Sequence, residues 1–298
     1  MAVETTTIEV DGLRFTADRG SGADGGGELV LFLHGFPHTR HTWRTELAAL
    51  DELGHRVVAP DQRGYSAGAR PDGTDAYRVE NLVADAFAIA AATAPDLAGS
   101  DSGGAGGGKF HVVGHDWGGQ LGWIMAGLYP ERIKTLSVIS RPHPAGFIGA
   151  MKADPAQAER SKHHRSFQRP EATAEWLADD AARLRAILDD WGARHEDIEA
   201  YLATLGNHAA LDAAINWYRA MGRSTPLPAD VPAVAVPTLY VWGNADSSVG
   251  RVAAESTADF VTGPYRFVEV PGGSHCIPDQ SPGLFTELLI EHIESAAG

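Results

Sequence analysis

A mostly parallel, doubly wound α/β sheet carrying an inserted helical cap is the fold this sequence predicts, on three observations. Short apolar runs at 29–33 and 110–114 end in glycine-bearing turns, as strands buried on both faces do. Such runs alternate with helical spacing up to residue 143 and again near the C-terminus. Between them, from Pro144 to about Pro228, the pattern is mostly helical. Alternation on both sides of an all-helical block implies a sheet interrupted by an insertion. We divide the chain into a first core segment (residues 1–143), a cap (residues 144–230) and a second core segment (residues 231–298).

Each element follows from its residues. Residues 6–18 alternate around Asp11-Gly12, a hairpin signal. Gly20 to Gly27 reads as a loose polar loop. The strand 29–33 runs into His34-Gly35-Phe36-Pro37, where Phe36–Pro37 is a candidate cis peptide. Residues 42–53 have helical spacing, 56–60 is the next strand, and 82–92 is an alanine-rich helix. The Gly/Ser/Ala stretch 99–108 reads as a surface insertion. It lacks the Lys-Ser/Thr ending of a phosphate loop. A helix follows 110–114 and runs to about residue 129, and 133–140 is a strand. In the cap, 171–188 and 196–205 are the clearest helices. The last strands are 237–242 and 266–270, and a helix closes the chain at 281–294.

Composition narrows the function. Of 298 residues, 44% are hydrophobic and 21% charged, ordinary for a folded globular protein. The net charge of −15 disfavours nucleic-acid and anionic-membrane partners. No apolar run approaches the ~18 residues of a membrane span. Met1 to Thr7 lacks the basic start and apolar run of a signal peptide, so a cytoplasmic location is expected. One cysteine, Cys276, allows no internal disulfide and reads as a small packing residue. No His/Cys spacing suits a metal and no dinucleotide fingerprint is present, so neither metal nor cofactor is expected. The expected partner is a small hydrophobic molecule; homo-oligomerisation is compatible with the sequence.

The chemistry centres on Gly114-His115-Asp116-Trp117-Gly118. Gly-x-Nuc-x-Gly is the spacing of a tight strand–turn–helix elbow that lifts one side chain above the sheet. Here that residue is an aspartate. A carboxylate attacks an sp3 carbon without a base and forms an ester, which water must then cleave. The water needs a base. Past the strand at 237–242 stands Asp246, and past the strand at 266–270 stands His275. Catalytic groups of such sheets gather at the carboxyl ends of strands. His275 is therefore the expected base and Asp246 its orienting acid, with Asp259, Asp279 and Asp212 as reserves. The backbone N–H groups of Phe36 and Trp117 are the candidate oxyanion donors.

The order nucleophile, acid, histidine is that of the α/β-hydrolase group. The chain resembles that superfamily nearly throughout, and within it the epoxide hydrolases with an aspartate nucleophile. His34-Gly35-Phe36-Pro37 is similar to the family's oxyanion motif. Asp61-Gln62-Arg63-Gly64-Tyr65-Ser66 is similar to its Asp-x-Arg-Gly-x-Ser segment, and Asn216-Trp217-Tyr218-Arg219 to the cap segment with a ring-opening tyrosine. The resemblance implies that Tyr218 donates a proton to the epoxide oxygen. The usual second cap tyrosine is missing from residues 162–170. His163 stands at the matching position and His164 beside it, so His163 is the expected co-donor. Substrate contacts are expected from His34, Trp117 and His164, with His34 bracing the oxyanion loop and His115 supporting the nucleophile. Trp123, Trp176 and Trp191 read as packing residues.

The alternative is a haloalkane or haloacid dehalogenase with the same Asp-His-Asp triad. Phe36 offers no side-chain halide donor. Trp117 and Gln120 stand where related haloacid enzymes carry arginines. A catalytically silent binding protein is the remaining class, and the intact triad argues against it.

Overall fold

Eight strands build one sheet in the order β1-β2-β4-β3-β5-β6-β7-β8 in the computed structural model, which describes residues 3–22, 26–97, 108–223 and 230–296. β1 (Glu4–Val10) and β2 (Leu13–Gly20) form the expected antiparallel hairpin. Asp11 and Gly12 turn it with φ of 49° and 77°, the left-handed pair that a two-residue turn requires. β2 also pairs antiparallel with β4 (Arg56–Pro60). All later pairings, through β3 (Leu29–Leu33), β5 (Phe110–His115), β6 (Ile133–Ile139), β7 (Thr238–Gly243) and β8 (Tyr265–Val270), are parallel.

The continuous apolar runs have the meaning expected of them. Along β3, Leu29, Leu31 and Leu33 enter the core on one sheet face, while Val30 and Phe32 enter the core on the other. A strand with both faces covered has no place for alternating polar residues. Helices Val79–Thr93 and Trp117–Leu128 cover the first face; Arg44–Glu52 and Pro282–Ser295 cover the second. Residues 98–107, which hold all of the Gly/Ser/Ala insertion but Gly108, lie outside the described residues, as do 23–25 of the first glycine-rich loop.

Between β6 and β7 the described residues are mostly helical, with irregular stretches at 140–143 and 231–237 and an isolated bridge from Val234 to Val261. The helices are Pro144–Ala153, Pro155–Arg160, His163–Ser166, Ala172–Asp190, His195–Leu205 and His208–Arg219. The segment expected as one helix at 171–188 is broken. Asp179, Asp180 and Ala181 adopt left-handed φ of 53° to 56°. Helical periodicity alone does not reveal such a break.

Polar contacts seat this block over the carboxyl ends of the strands. Trp217 Nε1 donates to Arg63 O at 2.8 Å, which gives the Asp61–Ser66 segment a docking role. Arg160 Nη1 donates to Asp246 O at 2.8 Å, and Ser274 Oγ donates to Trp191 O at 2.7 Å. Tyr201 donates to the Asp279 carboxylate, which Arg44 also meets. The loops bearing Asp246 and His275 are thus clamped from above. Among the described residues no helix is long and apolar enough to cross a membrane.

Candidate active site

Asp116 sits between β5 and the helix Trp117–Leu128 with φ 49° and ψ −114°, a conformation that L-residues occupy at a cost. The glycines around it are needed for close approach. A Cβ on Gly114 would strike the Gly118 carbonyl, and one on Gly35 would strike Asp116 itself. This packing presses the elbow against the loop after β3, whose Phe36–Pro37 bond is cis. Phe36 N–H donates to Asp116 Oδ1 at 3.0 Å. The second carboxylate oxygen, Oδ2, lies 3.9 Å from His275 Nε2. One oxygen is therefore held by the backbone while the other faces His275.

His275 follows β8 and is buried. Its Nδ1 lies 3.0 and 3.1 Å from the two Asp246 oxygens, so Nδ1 carries the proton and Nε2 is bare. Asp246 also accepts Ser248 N–H at 2.7 Å and Val249 N–H at 2.9 Å. Asp246, not Asp259, Asp279 or Asp212, is thus the acid that meets His275. Asp279 binds Tyr201 and Arg44, and Asp212 binds Thr173 and Arg219. Burial would lower the His275 pKa, but the charge and hydrogen bond of Asp246, with the charge of Asp116, leave it raised. Burial would raise Asp116, yet the charge of His275 or His115 when protonated, the permanent charge of Arg141 and the Phe36 N–H hold it lowered. Asp116 is an anion at neutral pH.

Sequence reading missed Ser140, the residue after β6. Its Oγ donates to Asp246 Oδ2 at 2.6 Å and lies 2.8 Å from His275 Nδ1, with φ of 66° turning it inward. A serine in Ile139-Ser140-Arg141-Pro142 carries no motif that announces this role. Ser140→Ala should lower kcat about 5- to 10-fold, the worth of one buried hydrogen bond. KM should stay unchanged, because Ser140 touches the acid and base rather than the cavity. The acid limb of the kcat–pH profile should also shift. A KM effect equal to the kcat effect would remove Ser140 from this role.

A cavity of about 80 Å³ lies above Asp116. Tyr218, His163 and His164 line it together with Arg141, Phe147, Trp176 and Trp191. Trp176 and Trp191 are therefore cavity walls as well as packing residues, and Trp191 packs on the His275 ring at 4.3 Å. Helical spacing cannot say which side of a cap helix faces inward. Trp123 is a packing residue: its Nε1 donates to Arg141 O at 2.9 Å.

His34 and Trp117, expected to touch substrate, are not among the residues lining this cavity. His34 is buried between Gly35 O, 3.0 Å from Nδ1, and Gln62 N–H, 3.2 Å from Nε2, so both ring nitrogens are engaged in bracing the loop. Trp117 opens the helix beside Asp116 and packs edge-on behind Tyr218 at 5.2 Å.

The Tyr218 ring sits among Phe36, Trp117 and Phe167. Burial and the Asp116 charge push its phenol well above the usual range, so it stays protonated. The His164 ring is 5.6 Å and the His163 ring 6.0 Å from it. Burial lowers both imidazoles, His164 to about 3. His163 Nδ1 donates to Arg160 O at 3.1 Å, which leaves a bare Nε2 on the neutral ring.

Spatial proximity also gathers residues that sequence spacing scatters. His38, His115 and Cys276 bring ring nitrogens and a thiol within 4.8 Å of one another behind the base. His115 Nε2 lies 3.0 Å from His275 O, and His38 Nε2 lies 3.2 Å from Asp279 Oδ2, so these rings support the His275 loop.

Comparisons with known proteins agree with this architecture. Residues 28–282 match the family model for the alpha/beta hydrolase fold. The chain is 30% identical to the AB hydrolase superfamily protein YfhM of Bacillus subtilis, over 90% of this chain and 91% of that protein. It is 32% identical to mouse epoxide hydrolase 4, over 95% of this chain and 77% of that protein. Among solved structures, a Bacillus megaterium epoxide hydrolase bound to an inhibitor superposes with a TM-score of 0.81 at 25% identity. That match covers 97% of this chain and all (100%) of the other.

Proposed function

This chain belongs to the α/β-hydrolase fold family, and we propose that it converts a small epoxide to a vicinal diol through an ester on Asp116. The observation that carries the reading is the buried, protonated Tyr218 phenol lining the same cavity as an ionised carboxylate. An epoxide needs both at once, a nucleophile at carbon and an acid at oxygen. The names of the epoxide hydrolases similar to this chain support it.

Asp116 Oδ2 attacks a ring carbon, the C–O bond breaks, and Tyr218 gives its proton to the departing oxygen. His164 is the better second donor. A neutral ring with no hydrogen bond fixing its tautomer can present an N–H, whereas the neutral His163 ring presents a bare Nε2. His275 Nε2 then takes a proton from water as that water adds to Asp116 Cγ. Phe36 N–H holds Oδ1 as negative charge develops there, and Trp117 N–H is the second candidate donor. Collapse expels the second oxygen as alkoxide, which takes the His275 proton to complete the diol; the acid proton left on Asp116 returns to the Tyr218 phenolate, restoring carboxylate, imidazole and phenol. Residues 144–230 act as the cap that closes the cavity, and the reaction uses no metal or cofactor. We place the protein in the cytoplasm.

Displacement of halide would begin with the same attack. It needs N–H donors aimed at the leaving group, and the Trp117 side chain instead hydrogen-bonds the Tyr218 phenol and does not line the cavity.

Single-turnover reaction with styrene oxide in 18O-labelled water tests the reading. Label should enter the Asp116 carboxylate while the diol keeps unlabelled oxygen. Label in the diol alone would mean direct attack by water. Tyr218→Phe should lower kcat/KM for styrene oxide about 10²- to 10³-fold with an unchanged fold, as loss of a positioned general acid does. Retained activity would transfer the proton to another group.

A further inference from the structure

We propose that Arg141 is the anchor for a substrate carboxylate, so that the preferred substrate is a small epoxide bearing a carboxylate beside the ring. The proposal rests on the epoxide reading above and names its substrate class.

Arg141 lies two residues past the end of β6 and lines the cavity with Asp116, Phe147 and Tyr218. Its guanidinium is held in one plane. Nε donates to Gln120 Oε1 at 2.9 Å, and the group stacks 4.3 Å from the Phe147 ring centroid. Among the described residues no carboxylate forms an ion pair with it, and Nη1 and Nη2 have no protein acceptor. Asp116 is otherwise engaged, with Oδ1 on Phe36 N–H and Oδ2 toward His275. Three other partly buried arginines are paired with carboxylates, Arg40 with Asp18 and Asp61, Arg44 with Asp197 and Asp279, and Arg63 with Asp85, whereas Arg70 and Arg132 donate to backbone carbonyls.

A cation in an aromatic cavity is costly; the stack on Phe147 offsets only part of that cost, and the Asp116 charge acts on it without a direct ion pair. The unused edge is a two-pronged donor whose geometry matches a carboxylate. An anionic substrate would meet repulsion from Asp116, and Arg141 supplies the opposing charge in the same cavity. The volume of about 80 Å³ favours a compact molecule.

The test compares oxirane-2-carboxylate with its isosteric neutral amide, oxirane-2-carboxamide. Wild type should prefer the carboxylate in kcat/KM, and Arg141→Met should lower the carboxylate-to-amide ratio about 100-fold, as truncating one partner of a buried charge pair does. The ratio is the readout, so a general loss of rate does not imitate the effect. Arg141→Lys keeps the charge without the fork and should lie between. Propionate and propionamide, which cannot react, give a second readout by quenching the cavity tryptophans. Only propionate should bind wild type, and Arg141→Met should lose it. If Arg141→Met does not fold, wild type and Arg141→Lys decide.

Turnover of the amide and of styrene oxide, with no carboxylate preference and no propionate binding, would overturn the anchor and leave epoxide hydrolysis standing. Propionate binding that depends on Arg141, with no epoxide turned over, would keep the anchor and overturn the epoxide reading.

Discussion

His275→Gln protein mixed with excess styrene oxide should come to rest with one epoxide joined to each Asp116 and with almost no diol released. The two half-reactions make different demands. Alkylation needs an anion and an acid, and neither asks His275 to act as a base: without the His275 charge, Arg141 and the Phe36 N–H still favour ionised Asp116, and Tyr218 is raised. Hydrolysis needs a proton removed from water, which glutamine cannot do. Loss of that general base should slow ester cleavage about 10³- to 10⁴-fold, so the ester accumulates. Intact-protein mass and the mass of the peptide bearing Asp116 give the answer. Normal turnover would remove His275 from the mechanism, and inactivity without adduct would mean that the first step needs it too.

The same separation fixes a pH dependence. His275 must be neutral to act as base, so ester hydrolysis fades as pH falls through its pKa. In the resting enzyme that pKa is raised, against burial, by Asp246 and by Asp116. Alkylation turns Asp116 into a neutral ester and removes part of the rise. The acid limb for ester decay should therefore lie below the His275 pKa of the free protein. Single-turnover decay rates against pH, compared with an NMR titration of His275, check this. A limb at or above the resting value would contradict the assigned field.

The sequence made the frame of this site legible because the frame obeys local rules. β3 and β5 are continuous apolar runs because both faces are covered, and the elbow needs small residues because Gly114 and Gly118 touch. Asp246 and His275 follow strands in a fixed order. What escaped reading depends on which way a side chain turns after its element ends. Ser140 and Arg141 look like an unremarkable strand terminus, yet one joins the acid and base and the other enters the cavity. Trp176 and Trp191 carry helical spacing that suits either packing or a cavity wall. His34 sits in a motif associated with the site, but its ring is consumed by Gly35 and Gln62. These are tertiary facts, set by packing between distant segments.

Replacing Asp116 should separate its chemical role from the strain of its position. Asp116→Asn keeps an oxygen for Phe36 N–H and tolerates a left-handed φ better than most residues. It should fold as wild type and lose activity on the order of 10⁵-fold or more, as removal of a covalent nucleophile does. The His275 pKa should also fall, because one of the charges raising it is gone. Asp116→Ala and Asp116→Gly both lack the carboxylate and the bond to Phe36, so they differ only at Cβ. In an ordinary helix or strand glycine is the less stable of the two, by roughly 0.5–1 kcal/mol. At φ 49° and ψ −114° the order should reverse. Relief of about 1–3 kcal/mol of backbone strain exceeds the entropic penalty, so the glycine variant should be the more stable in urea unfolding. An alanine variant more stable than the glycine variant by the ordinary margin of roughly 0.5–1 kcal/mol would show that the elbow carries no strain. A reversed order would mean that the fold holds its nucleophile aloft at the expense of its own stability.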